Sequence, residues 1–300
     1  MFSSRVARKI LVCDSVETDG RFLLYTMSKQ ILAANGRVLW LVGSPVTENQ
    51  VAMGLKKMGC EAAAAYLRDP NKNLNLNIRS LVSEIAIRSL EEEEKEEEEE
   101  RDWNHEQFLK EIYSDIKRWI RELDESSTPC WILLDDVSCL ATLLGQSLVY
   151  KFIESCCAAA STRMNPSIGI MIRCSYTLDQ QVLYTTDGDF EKDKSGWIGA
   201  GGLAYRQTIR EKQKESIPWE RSLAESVDGI VDVLPLTSGY SREAHGRIIF
   251  SEVPGARGWG QSNHTSQHVI QSTTSSATWN KLLFNYCIHD NGVRAIRLRV

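Results

Sequence analysis

The chain has 300 residues, of which 42% are hydrophobic and 25% charged, an ordinary globular composition that excludes collagen, a wholly disordered chain and a disulfide miniprotein. The net charge of −5 comes from one segment, because EEEEKEEEEE at 91–100 carries −8 and the remainder is +3. No apolar run approaches the ~18 residues of a transmembrane helix. The eight cysteines include no C-x-x-C pair, so we expect neither membrane nor metal, and a reducing compartment, cytosolic or nuclear.

Short apolar runs alternate with amphipathic segments near the start of the chain. Ile10–Cys13 predicts a buried strand, followed by a polar turn and a helix, and Val38–Val42 predicts the second strand. Thr47 and Gln50 fit a capping box at the start of another helix, which Gly59 ends. This order of strand, helix, strand and helix predicts a parallel α/β sheet.

An acidic low-complexity insert at 90–101 interrupts this order. Nine glutamates repel each other and bury no apolar surface, which favours a solvated loop or a frayed helix extension over a binding tail. Regular patterns then resume. Phe108–Leu123 predicts a helix, 131–134 a buried strand, 140–156 one further helix, and 167–174 the next strand.

The second half of the sequence is more polar. Segments 175–222 and 253–279 are predicted to be flexible, because they are long and rich in polar residues and glycine. Four further strands are predicted at 227–234, 247–252, 281–288 and 293–300, with turn residues between some of them. We therefore expect one domain over 1–300, a mostly parallel α/β core completed by antiparallel strands.

A nucleotide-binding loop would follow the first strand. The motif G-x-x-x-x-G-K-[ST], laid over the chain, reads Ser15-x-x-x-x-Gly20-Arg21-Phe22. Only Gly20 matches, and a phenylalanine cannot hold magnesium. Asp14, Glu17 and Asp19 place three negative charges where a triphosphate would lie, which the half-charge of a helix dipole does not offset. We therefore expect that the chain retains a loop at the position of a nucleotide-binding loop but does not bind or hydrolyse ATP there. The alternative is an ordinary strand–turn–helix that never bound a nucleotide.

Two acids end a later strand. Asp135 and Asp136 follow Trp131–Leu134, which is the pattern of a Walker B strand whose acid ligates Mg²⁺. Acids also end strands at ordinary turns. Considered by itself, this motif favours such a turn over a magnesium site. The two motifs occur in the correct order, with the loop after the first strand and the acids on a later strand, and together they favour a RecA-like fold.

Basic residues cluster in the long polar segment. The tRNA-contact candidates are Arg206, Arg210, Lys212 and Lys214. Such groups bind phosphates with release of counterions, whereas the alternative is a solvated face. The last strand alternates apolar residues with Arg297 and Arg299, which has the same two readings.

Four stretches resemble the Elongator complex protein 6 family of RecA-like accessory subunits. They are LVCDSVETDGRFLLY (11–25), WILLDDVSCLATLLG (131–145), VDVLPLTSGYSREAHGRI (231–248) and LLFNYCIHDNGVRAIRLRV (282–300). The resemblance implies a RecA-like fold with a degenerate P-loop, and no cofactor of its own. It also implies a hexameric ring with two sister subunits, two copies of each, which binds tRNA and joins the catalytic Elongator subcomplex.

The resemblance further implies that the whole assembly makes the 5-carboxymethyl-type modification of wobble uridine. The catalysis belongs to another subunit, so this chain is expected to carry none of it. ATPase activity of its own is not expected either, because the lysine and the magnesium-binding hydroxyl of the loop are missing. Two rival hypotheses stay open. One is a residual NTPase in which Asp135 or Asp136 binds Mg²⁺ and Arg21 replaces the P-loop lysine. The other is a protein-interaction scaffold without RNA contact.

Overall fold

The computed structural model describes residues 8–15, 17–70, 73, 75–93, 104–123, 128–162, 168–176, 219–236, 244–252, 281–289 and 292–297. Several features predicted from the sequence lie outside these residues. They are positions 94–101 of the acidic insert, most of segment 175–222 with the basic candidates at 206–214, the segment 253–279, and Arg299.

The described residues form nine strands and eight helices. The strands are β1 (Lys9–Ser15), β2 (Arg37–Val42), β3 (Leu76–Ser80), β4 (Cys130–Asp135), β5 (Ile168–Tyr176), β6 (Gly229–Leu234), β7 (Gly246–Glu252), β8 (Lys281–His289) and β9 (Gly292–Arg297). The helices are α1 (Arg21–Ala33), α2 (Glu48–Lys57), α3 (Glu61–Tyr66), α4 (Leu81–Glu93), α5 (His105–Arg121), α6 (Val137–Leu144), α7 (Gln146–Thr162) and α8 (Trp219–Glu225).

The strands form one sheet in the order β3-β2-β4-β5-β1-β6-β7-β8-β9. Strands β1 to β6 pair in parallel, and β7, β8 and β9 are added antiparallel. The predicted fold class is therefore confirmed: an α/β fold with a mostly parallel central sheet, helices on its faces and antiparallel C-terminal strands, consistent with a RecA-like fold.

Helices cover both faces of the parallel part, so its strands are nearly continuous apolar runs. On one face, α4 to α8 pack on strand residues such as Leu41 and Ile132. On the other face, α1, α2 and α3 pack on residues such as Trp40 and Leu133. The capping box predicted at Thr47 and Gln50 is present at the start of α2.

Other sequence predictions need correction. The helix predicted over 140–156 is two helices, because Gly145 has φ +94° and ends α6, a backbone conformation that interrupts an α-helix. The segment 175–222 begins inside β5 and ends inside α8. Strand β3 was not predicted, since LNIRS mixes polar and apolar residues. Within the described residues, no helix is long and apolar enough to cross a membrane.

Candidate functional site

The sheet brings the two predicted nucleotide-site motifs together. The loop follows β1 and the acids end β4, and β5 lies between these two strands. Parallel pairing places the carboxyl ends of all three strands at one edge. Val12 pairs with Arg173, and Leu133 pairs with Met171, so Asp14, Arg173 and Asp135 lie on the face covered by α1.

Arg173 joins the two motifs. Its Nε donates to Oδ2 of Asp14 at 2.7 Å, and one terminal nitrogen donates to Oδ1 of Asp135 at 2.7 Å. The side chains of both aspartates are fully buried, and that of Arg173 is 7% exposed. Asp19 and Asp136 lie further out, at 3.3 Å and 3.8 Å from its terminal nitrogens. A guanidinium therefore lies among the four carboxylates.

The chain's own carboxylates occupy the anion-binding end of α1. The backbone N–H of Gly20 donates to Asp14 at 2.6 Å, and that of Arg21 donates to Asp19 at 2.9 Å. Free N–H groups at a helix start are the groups that bind phosphate in a nucleotide loop. A Cβ added at Gly20 would lie 3.0 Å from Val12 and 3.1 Å from Asp14, so a larger residue there would require these buried side chains to shift by a few tenths of an ångström.

Arg21 closes the network from the other side. Its Nε donates to Oδ2 of Asp135 at 2.8 Å, and its terminal nitrogen donates to the Ser44 hydroxyl at 2.9 Å. Both oxygens of Asp135 thus accept from arginines. Asp136 has a different local role, because it sits at φ 62° and its side chain caps α6 by accepting from the Cys139 N–H.

The electrostatics of the cluster reflect its burial. Removal from water raises the pKa of Asp14 and of Asp135 above the ordinary value, and the positive charge of Arg173 offsets only part of this effect. For Arg173, burial disfavours the charged form, but the nearby Asp135 and Asp14 raise its pKa above the ordinary value. The guanidinium stays charged at every accessible pH.

Sequence reasoning missed the central residue. Arg173 occurs in the strand SIGIMIRC, and a charged residue within a buried strand requires a buried partner. That signal identifies the residue as unusual without naming its partners. Ser175 was missed as well, although its hydroxyl donates to Oδ1 of Asp14 at 2.8 Å.

The other predicted site residues, Ser15 and the four basic candidates, do not belong to the cluster around Arg173 as described. Ser15 lies at the end of β1, where its hydroxyl is 3.1 Å from that of Thr18. Arg206, Arg210, Lys212 and Lys214 lie outside the described residues. No group of three or more His, Cys, Asp or Glu side chains suited to a metal ion occurs among the positions that are described.

The fold and the site together define a class: a RecA-like α/β protein in which arginine–aspartate ion pairs occupy the nucleotide-loop position. The sequence profile of the Elongation complex protein 6 family matches residues 3–186, more than half of the chain, and the chain belongs to that family. Membership makes it an Elongator subunit, which associates with other subunits of that tRNA-modifying complex and has an accessory role. No curated protein matches the chain.

Proposed function

We propose that this chain is a non-catalytic subunit of Elongator that assembles with two sister RecA-like subunits into a hexameric ring holding two copies of each. The ring binds tRNA, joins the catalytic subcomplex and supports the 5-carboxymethyl-type modification of wobble uridine. The proposed compartment is the cytoplasm, and secondarily the nucleus. Family membership supports the complex, and the site supports the non-catalytic role.

The observation that carries the non-catalytic role is the ion-pair network around Arg173. A nucleotide loop needs free N–H groups and a cation for the phosphates, and an acid that is free to hold Mg²⁺. Here the N–H groups of Gly20 and Arg21 donate to Asp14 and Asp19. The Arg21 cation and both oxygens of Asp135 are engaged with each other or with Arg173. Each group that would hold nucleotide already has an internal partner.

The residual-NTPase alternative would require this network to open. Removing one partner of a buried ion pair typically costs about 3–5 kcal/mol, which a nucleotide would have to offset before binding. We therefore expect no saturable ATP binding or turnover by the chain at millimolar Mg-ATP, measured by calorimetry and phosphate release. Turnover that Asp135→Asn with Asp136→Asn abolishes would restore the NTPase hypothesis.

Reconstitution tests the assembly. The chain is co-expressed with its two sister RecA-like subunits, and the native mass of the purified complex is measured. A mass equal to two copies of each subunit supports the ring. A separate monomer or homo-oligomer, with no sister subunit bound, would contradict it.

The affinity of the reconstituted ring for tRNA, measured at several salt concentrations, distinguishes a ring that binds tRNA from a scaffold without RNA contact. Charge reversal at Arg206, Arg210, Lys212 and Lys214 should weaken binding, and each lost phosphate contact should lower the slope of log K against log salt by about 0.7–0.9. The matched control reverses four charges on the described surface, at Lys56, Lys57, Lys117 and Arg121, which are all exposed. An equal effect of both sets would indicate net charge alone, and no effect of the first set would favour the scaffold.

A further inference from the structure

A surface groove lies between helices α5 and α7, with a cavity volume of about 170 Å³. Leu109 and Phe152, which are 4% and 5% exposed, form its floor. Tyr113 and Leu148 are partly buried against the same core and form its walls. Ser155 also lines the groove, and its small side chain leaves space beside these larger ones. The groove is therefore an apolar cleft between two helices.

The volume of the groove limits what it can hold. A cavity of about 150 Å³ accommodates one benzene-sized group, whereas sites that enclose a free small molecule usually have about 300–1,000 Å³. One aromatic or aliphatic side chain therefore fits the groove, and a whole metabolite does not. The occupant that matches this size is a single side chain of a larger partner, whose remaining surface lies on the surrounding helices.

Lysines flank the groove on both helices. Lys110 of α5 and Lys151 of α7 line it and are exposed. The Nζ of Lys110 pairs with Glu106 at 2.8 Å, and Lys110, with a smaller effect from Lys151, holds the pKa of the Glu106 carboxyl below its ordinary value. Lys117 adds a cation at one wall, because its Nζ lies 5.5 Å from the centre of the Tyr113 ring. Among the described residues named here, three lysines face one glutamate, which favours a partner that brings carboxylates.

We propose that this α5–α7 groove binds an acidic segment of a partner protein. The segment inserts one aromatic or aliphatic side chain between Tyr113 and Leu148, and aspartates or glutamates next to that side chain meet Lys110 and Lys151. Helices α5 and α7 cover the face of the sheet opposite to α1, so the partner would bind without opening the network around Arg173. The proposal depends neither on the hexameric ring nor on tRNA binding.

A synthetic peptide tests the groove directly. The probe is a fluorescent helical peptide of about 16 residues, with glutamates three and four residues before and after a central phenylalanine, so that they share one side of the helix. Two control peptides replace the phenylalanine by alanine or the glutamates by glutamines. Anisotropy titration with the full chain should give saturable binding of the probe. The alanine peptide should bind about tenfold or more weakly, because it buries much less apolar area. The glutamine peptide should bind more weakly at about 50 mM salt, and the difference should shrink at about 500 mM salt.

A variant that fills the groove locates the binding. Ser155→Phe should place a large side chain in the space that the probe's phenylalanine would occupy, and should lower the affinity about tenfold or more. The matched control is Ser114→Phe on α5. Both serines donate to the carbonyl four residues earlier, at 2.8 Å for Ser155 and 2.9 Å for Ser114, but Ser114 does not line the groove. Unchanged circular dichroism and urea midpoints confirm that both variants fold.

A charge exchange tests the role of the lysines. Lys110→Glu with Lys151→Glu should lower the affinity for the acidic probe about tenfold at about 50 mM salt, and should allow binding of a probe whose glutamates are replaced by lysines. Lys56→Glu with Lys57→Glu is the control, because these exposed lysines lie in the last turn of α2, on the other face of the sheet. The control should change the affinity for neither probe.

Four results would overturn the proposal. The first is a lack of saturable binding by the probe, or binding that Ser155→Phe leaves unchanged. The second is self-association of the chain in sedimentation that Ser155→Phe abolishes, which would assign the groove to a second copy. The third is binding of single-stranded RNA, but not of the probe, that Ser155→Phe abolishes, which would assign it to nucleic acid. The fourth is probe binding that appears only when the glutamates of 91–100 are replaced by glutamines, which would assign it to the chain's own acidic run.

Discussion

Replacement of Arg173 by methionine tests the role of the ion-pair network. Methionine retains much of the length and apolar bulk of the side chain but removes the charge and the donors. It would leave Asp14 and Asp135, both fully buried, without the hydrogen bonds of 2.7 Å that they receive from Arg173. Asp14 would retain the Gly20 N–H and the Ser175 hydroxyl, and Asp135 would retain Arg21.

The expected loss is large compared with the stability of a domain. Breaking a buried ion pair from one side costs about 3–5 kcal/mol, and domains unfold with about 5–15 kcal/mol. With an m-value of about 3 kcal/mol per M in urea, the midpoint should fall by about 1–1.7 M. The assay is urea unfolding followed by tryptophan fluorescence and circular dichroism.

Two further variants test whether the loss comes from the buried ion-pair network and not from the removal of any positively charged side chain. Lys110→Met removes an exposed pair with Glu106, whose side chains are 65% and 59% exposed, and should leave the urea midpoint unchanged, because exposed ion pairs contribute little to stability. Arg173→Met with Asp14→Asn and Asp135→Asn removes the buried charges together and should recover at least half of the loss. The reasoning is refuted if Arg173→Met costs less than about 1 kcal/mol, or if the triple variant is no more stable than the single one.

Three other predictions concern pH, thiol reactivity and capping. Because burial raises the pKa of Asp14 and Asp135, the native state holds protons that the unfolded chain releases. The stability from these groups is present at low pH and is lost as pH rises through their folded pKa values. The free energy of unfolding, measured in urea between about pH 4 and pH 7, should therefore fall more with pH in the wild type than in Asp14→Asn with Asp135→Asn; equal slopes would contradict this. Alkylation of the native protein at about pH 8 should modify Cys139 first, since the other cysteines are buried. Cys156 should be among the slowest to react, because burial raises its pKa well above the ordinary value. Mass mapping that finds Cys156 modified first would contradict this prediction. Thr47→Ala should cost about 1 kcal/mol, because it removes half of the capping box of α2, and Thr47→Ser should retain most of it; equal urea midpoints for the two variants would contradict it.

Local sequence patterns predicted most of the elements because their causes are local. The capping box at Thr47 and Gln50, the helix face from Phe108 and the apolar strand before Asp135 each depend on residues within a few positions of each other. Where two local signals competed, the interpretation was wrong. The apolar spacing over 140–156 suggested one helix, but the backbone at Gly145 divides it.

The sequence alone also determined that the nucleotide-loop position lacks the usual lysine and hydroxyl residues, since Arg21 and Phe22 can be read directly from the motif. Only the tertiary structure decided what occupies that position. Arg173 meets Asp14 across 159 residues of chain and Asp135 across 38, because β5 is inserted between β1 and β4 in the sheet. Strand order is set by long-range packing rather than by any local pattern, so the partners of a buried charge become known only when the whole sheet is formed.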